Sequence, residues 1–237
     1  MKKGYLGVML DCSRNAVMSV EELKNFILTL KKTGYNCLQL YTEDTYEIEG
    51  EPQFGYRRGK YTKAELKEID AFAKKNGVEL MPCIQTLAHL NQIFRYPKYQ
   101  NINDANDVLL VDDERTYALI EKMIATCAEC FTSRNIHIGM DEAHWLCRGR
   151  YFDLHGASNR FNVLLRHLSR VTEIAEKYGF KPMMWSDMFF CIAGKGAYYH
   201  KKKIPRPVME KVPENVQLVY WDYYNENPEI VDCMIEH

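Results

Sequence analysis

Long apolar runs are missing from this sequence. No stretch of its 237 residues could cross a bilayer. The segment before Asp11 offers only about seven strand-like residues, too few for the hydrophobic centre of a secretion signal, and no small-residue cleavage site follows. A cytoplasmic chain with no membrane partner is the expectation. An excess of charge of one sign is missing too. The 31 Lys and Arg are met by 32 Asp and Glu, leaving a net charge of −1 and no broad field to attract nucleic acid. A glycine-rich phosphate loop is absent after the first strand-like run, where Asp11-Cys12-Ser13-Arg14 stands instead. The eight cysteines give no disulfide or zinc framework. Several lie inside apolar strand or helix patterns, and Cys127-x-x-Cys130, though suitably spaced for a metal, sits in a helical stretch without a second ligand pair.

What is present is a rhythm. Tyr5 to Leu10 reads as a strand. The capping box Ser19-x-x-Glu22 then opens a helix whose inner face carries Leu23, Phe26, Ile27 and Leu30. Asn36 to Tyr41 is a second strand, and Thr62-x-x-Glu65 caps the next helix. Val78 to Ile84 is a third strand, followed by a helix over about 114–131. A fourth strand runs to Asp141-Glu142, with a helix over about 161–178 after it. Lys181 to Trp185 and Asn215 to Trp221 are the fifth and sixth strands, and Asn227-Pro228 marks the start of a final helix. Alternating strands and helices argue for an α/β fold with a parallel sheet. A doubly wound sheet and a (β/α)8 TIM-type barrel both fit. The missing phosphate loop favours the barrel, and about six βα units make it incomplete. The chain reads as one catalytic domain over 1–237, truncated after His237. The two open sheet edges would benefit from cover, so a homo-oligomer is a possible partner state.

The informative residues sit just past the strands: Asp11 and Arg14, Tyr41 and Asp44, Gln85 and His89, Asp141 and Glu142, Trp185 and Asp187, Trp221 and Asp222. In parallel α/β folds that end of the sheet is where ligands bind. Singly, each has an ordinary alternative: Asp44 and Asp141 as caps, His89 as a hydrogen-bonded core histidine, Trp185 and Trp221 as packing. Together they describe a site. Two carboxylates, an arginine and aromatic walls suit glycoside hydrolysis, and twelve per cent aromatic content with 16 tyrosines supplies flat faces for sugars. The usual retaining pair of acids comes from separate elements, about 5 Å apart across the sugar. Adjacent acids on one strand end suit the substrate-assisted variant, in which the substrate supplies the nucleophile.

These residues resemble a known family. His137-Ile138-Gly139-Met140-Asp141-Glu142 is similar to the His-x-Gly-x-Asp-Glu signature of the family 20 glycoside hydrolases, the β-N-acetylhexosaminidases. Gly7 to Arg14 resembles that family's first-strand Asp-x-x-Arg segment, Pro82 to His89 its third-strand segment, and Met183 to Asp187 its fifth-strand Trp segment. Phe54 to Thr62 resembles the subgroup of bacterial exo-acting members and the hexosaminidase D type. The resemblance implies retaining, exo-acting hydrolysis of terminal β-linked N-acetylglucosamine or N-acetylgalactosamine without metal or cofactor. It implies that Asp141 holds the acetamido N–H and that Glu142 is general acid, then base. Asp44 and His89 would form a charge network behind Glu142, Arg14 would grip outer hydroxyls, and Trp185 and Trp221 would wall the pocket. The family's barrel has two further strands carrying a Tyr, a Trp and an acid of the pocket. Two alternatives follow. One is a non-catalytic barrel fragment that binds amino sugars or a partner chain. The other is a metal-dependent hydrolase using His89, His137 and His144, disfavoured because the His-x-His such enzymes carry at the first strand end is Asp11-Cys12-Ser13 here.

Overall fold

The computed structural model describes residues 4–14 and 16–236. The Met1–Lys3 start and His237, on which the leader and truncation readings partly rest, lie outside them. The elements follow the expected alternation: β1 (Gly7–Asp11), α1 (Val20–Lys32), β2 (Cys37–Tyr41), α2 (Lys63–Lys75), β3 (Glu79–Cys83), a 3₁₀ turn (Ile93–Arg95), α3 (Pro97–Gln100), α4 (Glu114–Cys130), β4 (Asn135–His137), α5 (Arg150–His155), α6 (Arg160–Lys177), β5 (Lys181–Trp185), α7 (Asp187–Ala193), α8 (Arg206–Met209), β6 (Gln217–Val219) and α9 (Pro228–Ile235). All six strands are parallel and lie side by side in chain order. The sheet curls into a half-barrel, with β1 and β6 as its edges.

Period-two alternation sorts the strand residues between two cores. Leu38 and Leu40 of β2 and Leu80 of β3 face the helices, joining Leu23 and Ile27 of α1 and Leu66 and Ile69 of α2 in one continuous apolar cluster. Residues of the other parity line the concave side. There Cys37, Met81 and Met183, with Val219 against them, form a small plug beneath the site. Helix starts are fixed by side chains that satisfy free N–H groups. Ser19 accepts from the Glu22 N–H, and Thr62 with Glu65 makes a complete reciprocal capping box. Each such cap contributes about 1 kcal/mol. The Cys127–Cys130 pair is buried in α4, and Cys12, Cys37, Cys83, Cys147 and Cys191 are likewise buried free thiols.

Three strand expectations need correction. β1 begins at Gly7, not Tyr5, and ends at Asp11. β4 stops at His137 and does not reach Asp141-Glu142. The chain turns there because Gly139, Met140 and Glu142 adopt positive φ values of 71°, 72° and 49°, outside strand geometry. It nevertheless stays beside β5, through Ile138 N–H to the Met183 carbonyl (2.8 Å) and Trp185 N–H to the Gly139 carbonyl (3.1 Å). β6 is three residues long, bounded by a turn closed by the Val216 N–H on the Pro213 carbonyl.

Candidate active site

The turn after β4 delivers both carboxylates to one cavity of about 400 Å³ on the concave side. Met9 and Asp11 line it from β1, and Arg14 from the loop that follows. Tyr41 enters from β2 and His89 from the loop after β3. Asp141 and Glu142, Trp185 from β5, and Trp221, Tyr223 and Tyr224 beyond β6 complete the wall. His89 is the hinge of the arrangement. Its Nε2 lies 3.2 Å from Asp141 Oδ2 and 3.6 Å from Glu142 Oε2. Gln85 Nε2 donates to Asp141 Oδ1 (2.7 Å) and to the Tyr41 hydroxyl (3.0 Å), while Gln85 Oε1 accepts from the Met140 N–H (3.3 Å). Asp187, at the start of α7, accepts the Glu142 N–H at 2.9 Å. Asp141 is therefore clamped, whereas the Glu142 side chain, 48% exposed against 15% for Asp141, projects into the cavity.

Gly139 makes this turn possible. Beyond its positive φ, a Cβ there would lie 2.2 Å from Gln85 Oε1 and 2.8 Å from the Ile84 carbonyl. The same amide that secures Asp141 occupies the space a side chain would need.

The sequence matches the family described as "Glycosyl hydrolase family 20, catalytic domain" over residues 4–231.

The chain belongs to glycosyl hydrolase family 20.

Its relatives include hexosaminidase D of Bos taurus, 25% identical over 201 residues that span 80% of this chain and 55% of the relative. Hexosaminidase D of Homo sapiens is 24% identical over 221 residues, 89% of this chain and 43% of the relative. This family 20 chain thus spans about half the length of the curated relatives it matches. Among solved structures, the GH20 exo β-N-acetylglucosaminidase from Vibrio harveyi in complex with N-acetylglucosamine superposes with a TM-score of 0.72 at 19% identity. It covers 98% of this chain and 40% of that one. The Streptomyces plicatus N-acetyl-β-hexosaminidase superposes at 0.71 with 23% identity, over 98% and 45%. These similarities establish the family 20 barrel fold.

Electrostatics separate the acids of this family 20 site. Burial works against a charged His89, but the hydrogen bond and charge of Asp141, with Glu43 and Glu142 adding, hold its pKa up at about 9. Burial also opposes the Asp141 charge, yet His89 and Gln85 outweigh it and keep that carboxyl below its ordinary value. Asp187 behaves oppositely: burial first, then the negative charge of Asp141, pushes it up to about 7. His137 is neutral, lowered to about 4 by burial, and its ring packs on Trp185 with centroids 4.4 Å apart. Among the described residues no cluster of three or more His, Cys, Asp or Glu could hold a metal ion.

Of the seven residues to which the resemblance gives roles, the structure brings six together: Arg14, His89, Asp141, Glu142, Trp185 and Trp221. Asp44 is the exception. The expected Asp44–His89 network is replaced by an Asp44–Arg58 ion pair (3.2 Å) in a neighbouring space. The reason is parity. Tyr41 faces the cavity; two residues on, Glu43 turns to the adjoining space beside Arg14 and His89, and Asp44 points the other way. Glu43 accepts from Arg14 at 2.7 Å and from the Tyr41 hydroxyl at 3.3 Å. Carrying the strand alternation two residues past its end would have found it. Gln85 was noted at its strand end without a role, and parity with Met81 places it on the concave side as well.

Proposed function

We propose that this family 20 chain carries the reacting centre of an exo-β-N-acetylhexosaminidase. It would release terminal β-linked N-acetylglucosamine or N-acetylgalactosamine with retention of configuration. The observation that carries the reading is the single histidine placed between two unlike carboxylates. One is buried, clamped and ionised; the other is half exposed and projects into the cavity. The acetamido carbonyl oxygen of the substrate attacks C1 as the glycosidic C–O bond breaks, and Glu142 delivers a proton to the departing oxygen. Asp141 accepts the acetamido N–H and stabilises the positive charge of the resulting oxazolinium ion. Water then attacks C1, Glu142 takes its proton, and the bond between C1 and the acetamido oxygen breaks, restoring the acetamide. A second carboxylate acting as enzyme nucleophile has no obvious candidate. Asp11, the other carboxylate lining the cavity, is engaged by the N–H and hydroxyl of Ser13, each at 2.7 Å.

In this reading Arg14, held by Glu43, meets outer hydroxyls, while Trp185 and Trp221 flank the ring. Asp44 acts at a distance by fixing Arg58. The chain works as a single catalytic domain in the cytoplasm, a setting that suits the free thiols buried at Cys12, Cys37, Cys83, Cys127, Cys130, Cys147 and Cys191. Hydrolysis of an aryl β-N-acetylglucosaminide with a poor leaving group tests the proposal. Glu142→Gln should lower kcat by about 10²- to 10⁴-fold, the usual contribution of a general acid. Wild-type turnover by Glu142→Gln would remove its role. Because the chain spans about half of its relatives, a non-catalytic sugar-binding unit is the rival reading. It predicts N-acetylglucosamine binding with no turnover by the unaltered chain.

A further inference from the structure

The catalytic cavity is not isolated. It shares Arg14 and His89 with a second space of about 270 Å³, which in turn shares Arg58 and Gln92 with a third of about 290 Å³. The three spaces adjoin in sequence along the loops that follow β1, β2 and β3. The third is a basin with a distinct chemistry. Arg57, Arg58 and Arg95 line it against one carboxylate, Asp44, and the aromatic pair Tyr56 and Tyr96 forms a wall. The rings stand edge to face with centroids 6.2 Å apart, tied by the Tyr96 hydroxyl to the Tyr56 carbonyl (3.4 Å).

The charges in this basin do not balance. Asp44 is already committed to Arg58. The charge of Arg95 also acts on Asp44, so this one carboxylate is shared between two guanidinium groups, and Arg57 lies over the Tyr56 ring, 5.7 Å to the centroid. A chain of net charge −1 thus sets three guanidinium groups against a single carboxylate in this basin. Arg57 is presented there from a left-handed backbone position, φ 60°. A guanidinium fork matches the oxygens of a sulfate or carboxylate, and a tyrosine face matches a pyranose ring. A neutral glycan calls for the second of these and not the first.

We propose that the Arg57–Arg58–Arg95 basin binds an anionic group carried by the amino-sugar substrate, a sulfate ester or a sugar carboxylate, so that acidic glycans are preferred. The inference rests on the catalytic reading above. Calorimetry on the whole chain at low salt tests it with N-acetylglucosamine, its 6-sulfate, and a disaccharide joining N-acetylglucosamine to glucuronate. At least one acidic ligand should bind about tenfold more tightly than N-acetylglucosamine, roughly the gain from one charge-assisted contact. Added salt should erode the gain. The double variant Arg57→Ala/Arg95→Ala should abolish it while leaving N-acetylglucosamine affinity unchanged. Both side chains are exposed, so their removal opens no core cavity, and Arg95→Gln alone should give part of the loss. A gain for the sulfate alone places the charge on the terminal sugar; a gain for the disaccharide alone places it on the neighbouring one. Equal affinity for neutral and acidic ligands, or a gain that survives the double variant, overturns the basin and leaves the catalytic reading intact. Failure of every ligand to bind overturns both.

Discussion

The two sides of the active-site cavity are built to different standards. On the β1–β4 side each polar group is held by another. Gln85 ties Asp141 to Tyr41, Tyr41 donates to Glu43, Glu43 accepts from Arg14, and His89 spans the two acids. β1 and β2 pair over five residues and so do β2 and β3. On the β6 side the strand pairs over three residues, and the wall past it is aromatic: Trp221, with Tyr223 and Tyr224 at 75% and 84% exposure. Trp221 stacks with Tyr198 at 4.3 Å, and Tyr199 donates to Asp222 at 3.1 Å, but the ring contacts face outward into solvent as they approach Tyr224. Charge must be positioned to within a fraction of an ångström to act on a transition state, whereas an aromatic face tolerates sliding. In the proposed function, chemistry falls to the fastened side and sugar contact to the looser one.

The sharpest way to break this contrast is Asp141→Asn. The amide keeps the shape but removes the charge facing His89 and the acetamido group. Turnover of an aryl N-acetylglucosaminide should fall about a hundredfold or more while the circular dichroism spectrum is retained. Next in size is Gly139→Ala. The new methyl would meet Gln85 and the Ile84 carbonyl at a positive-φ position, so urea unfolding should show a loss of about 1–3 kcal/mol, with Asp141 displaced as well.

A third test uses pH. The pKa of His89 is raised from an ordinary 6.5 to about 9, so its charged form favours the native fold. That contribution is complete below about 6.5 and disappears as pH rises through about 9. Asp141 is depressed, so its share holds above the ordinary carboxylate range and is lost in acid as pH falls through its lowered value. Stability and N-acetylglucosamine affinity should decline together on the alkaline side near pH 9, and His89→Gln should flatten that limb. Retention of the limb in His89→Gln would assign it to another group. The smallest effect belongs to the looser wall. Tyr223→Ala should change stability by no more than about 0.5 kcal/mol, as expected for an exposed site, and sugar affinity by less than Trp221→Ala does. A loss from Tyr223→Ala equal to that from Asp141→Asn would erase the distinction between the two sides.

Much of this architecture is legible from local pattern. The inner faces of α1, α2, α4 and α6 repeat every three to four residues, and the caps at Ser19, Thr62 and Asn227 announce helix starts that the structure keeps. The short helices α5, α7 and α8 carry too few turns for such a repeat to appear. The turn at Gly139–Glu142 was hidden for another reason. Met140 and Glu142 have no intrinsic preference for positive φ, and only the tertiary bonds from Gln85 and Asp187 hold them there. An apolar run ending in two acids therefore looks like a strand well past its end at His137. The same long-range bonding explains why Asp141 and Glu142 were recognisable as a pair while their unequal burial was not.

The central claim is that Asp141 and Glu142 form one acetamido-recognising centre. Its most direct test is calorimetric titration of the chain with a stable thiazoline analogue of the cyclic oxazolinium ion, beside N-acetylglucosamine. The analogue should bind at least about a hundredfold more tightly than the sugar, as intermediates resembling the transition state do, and Asp141→Asn should remove that advantage. Equal affinity for the two ligands, or an advantage untouched by Asp141→Asn, would contradict it.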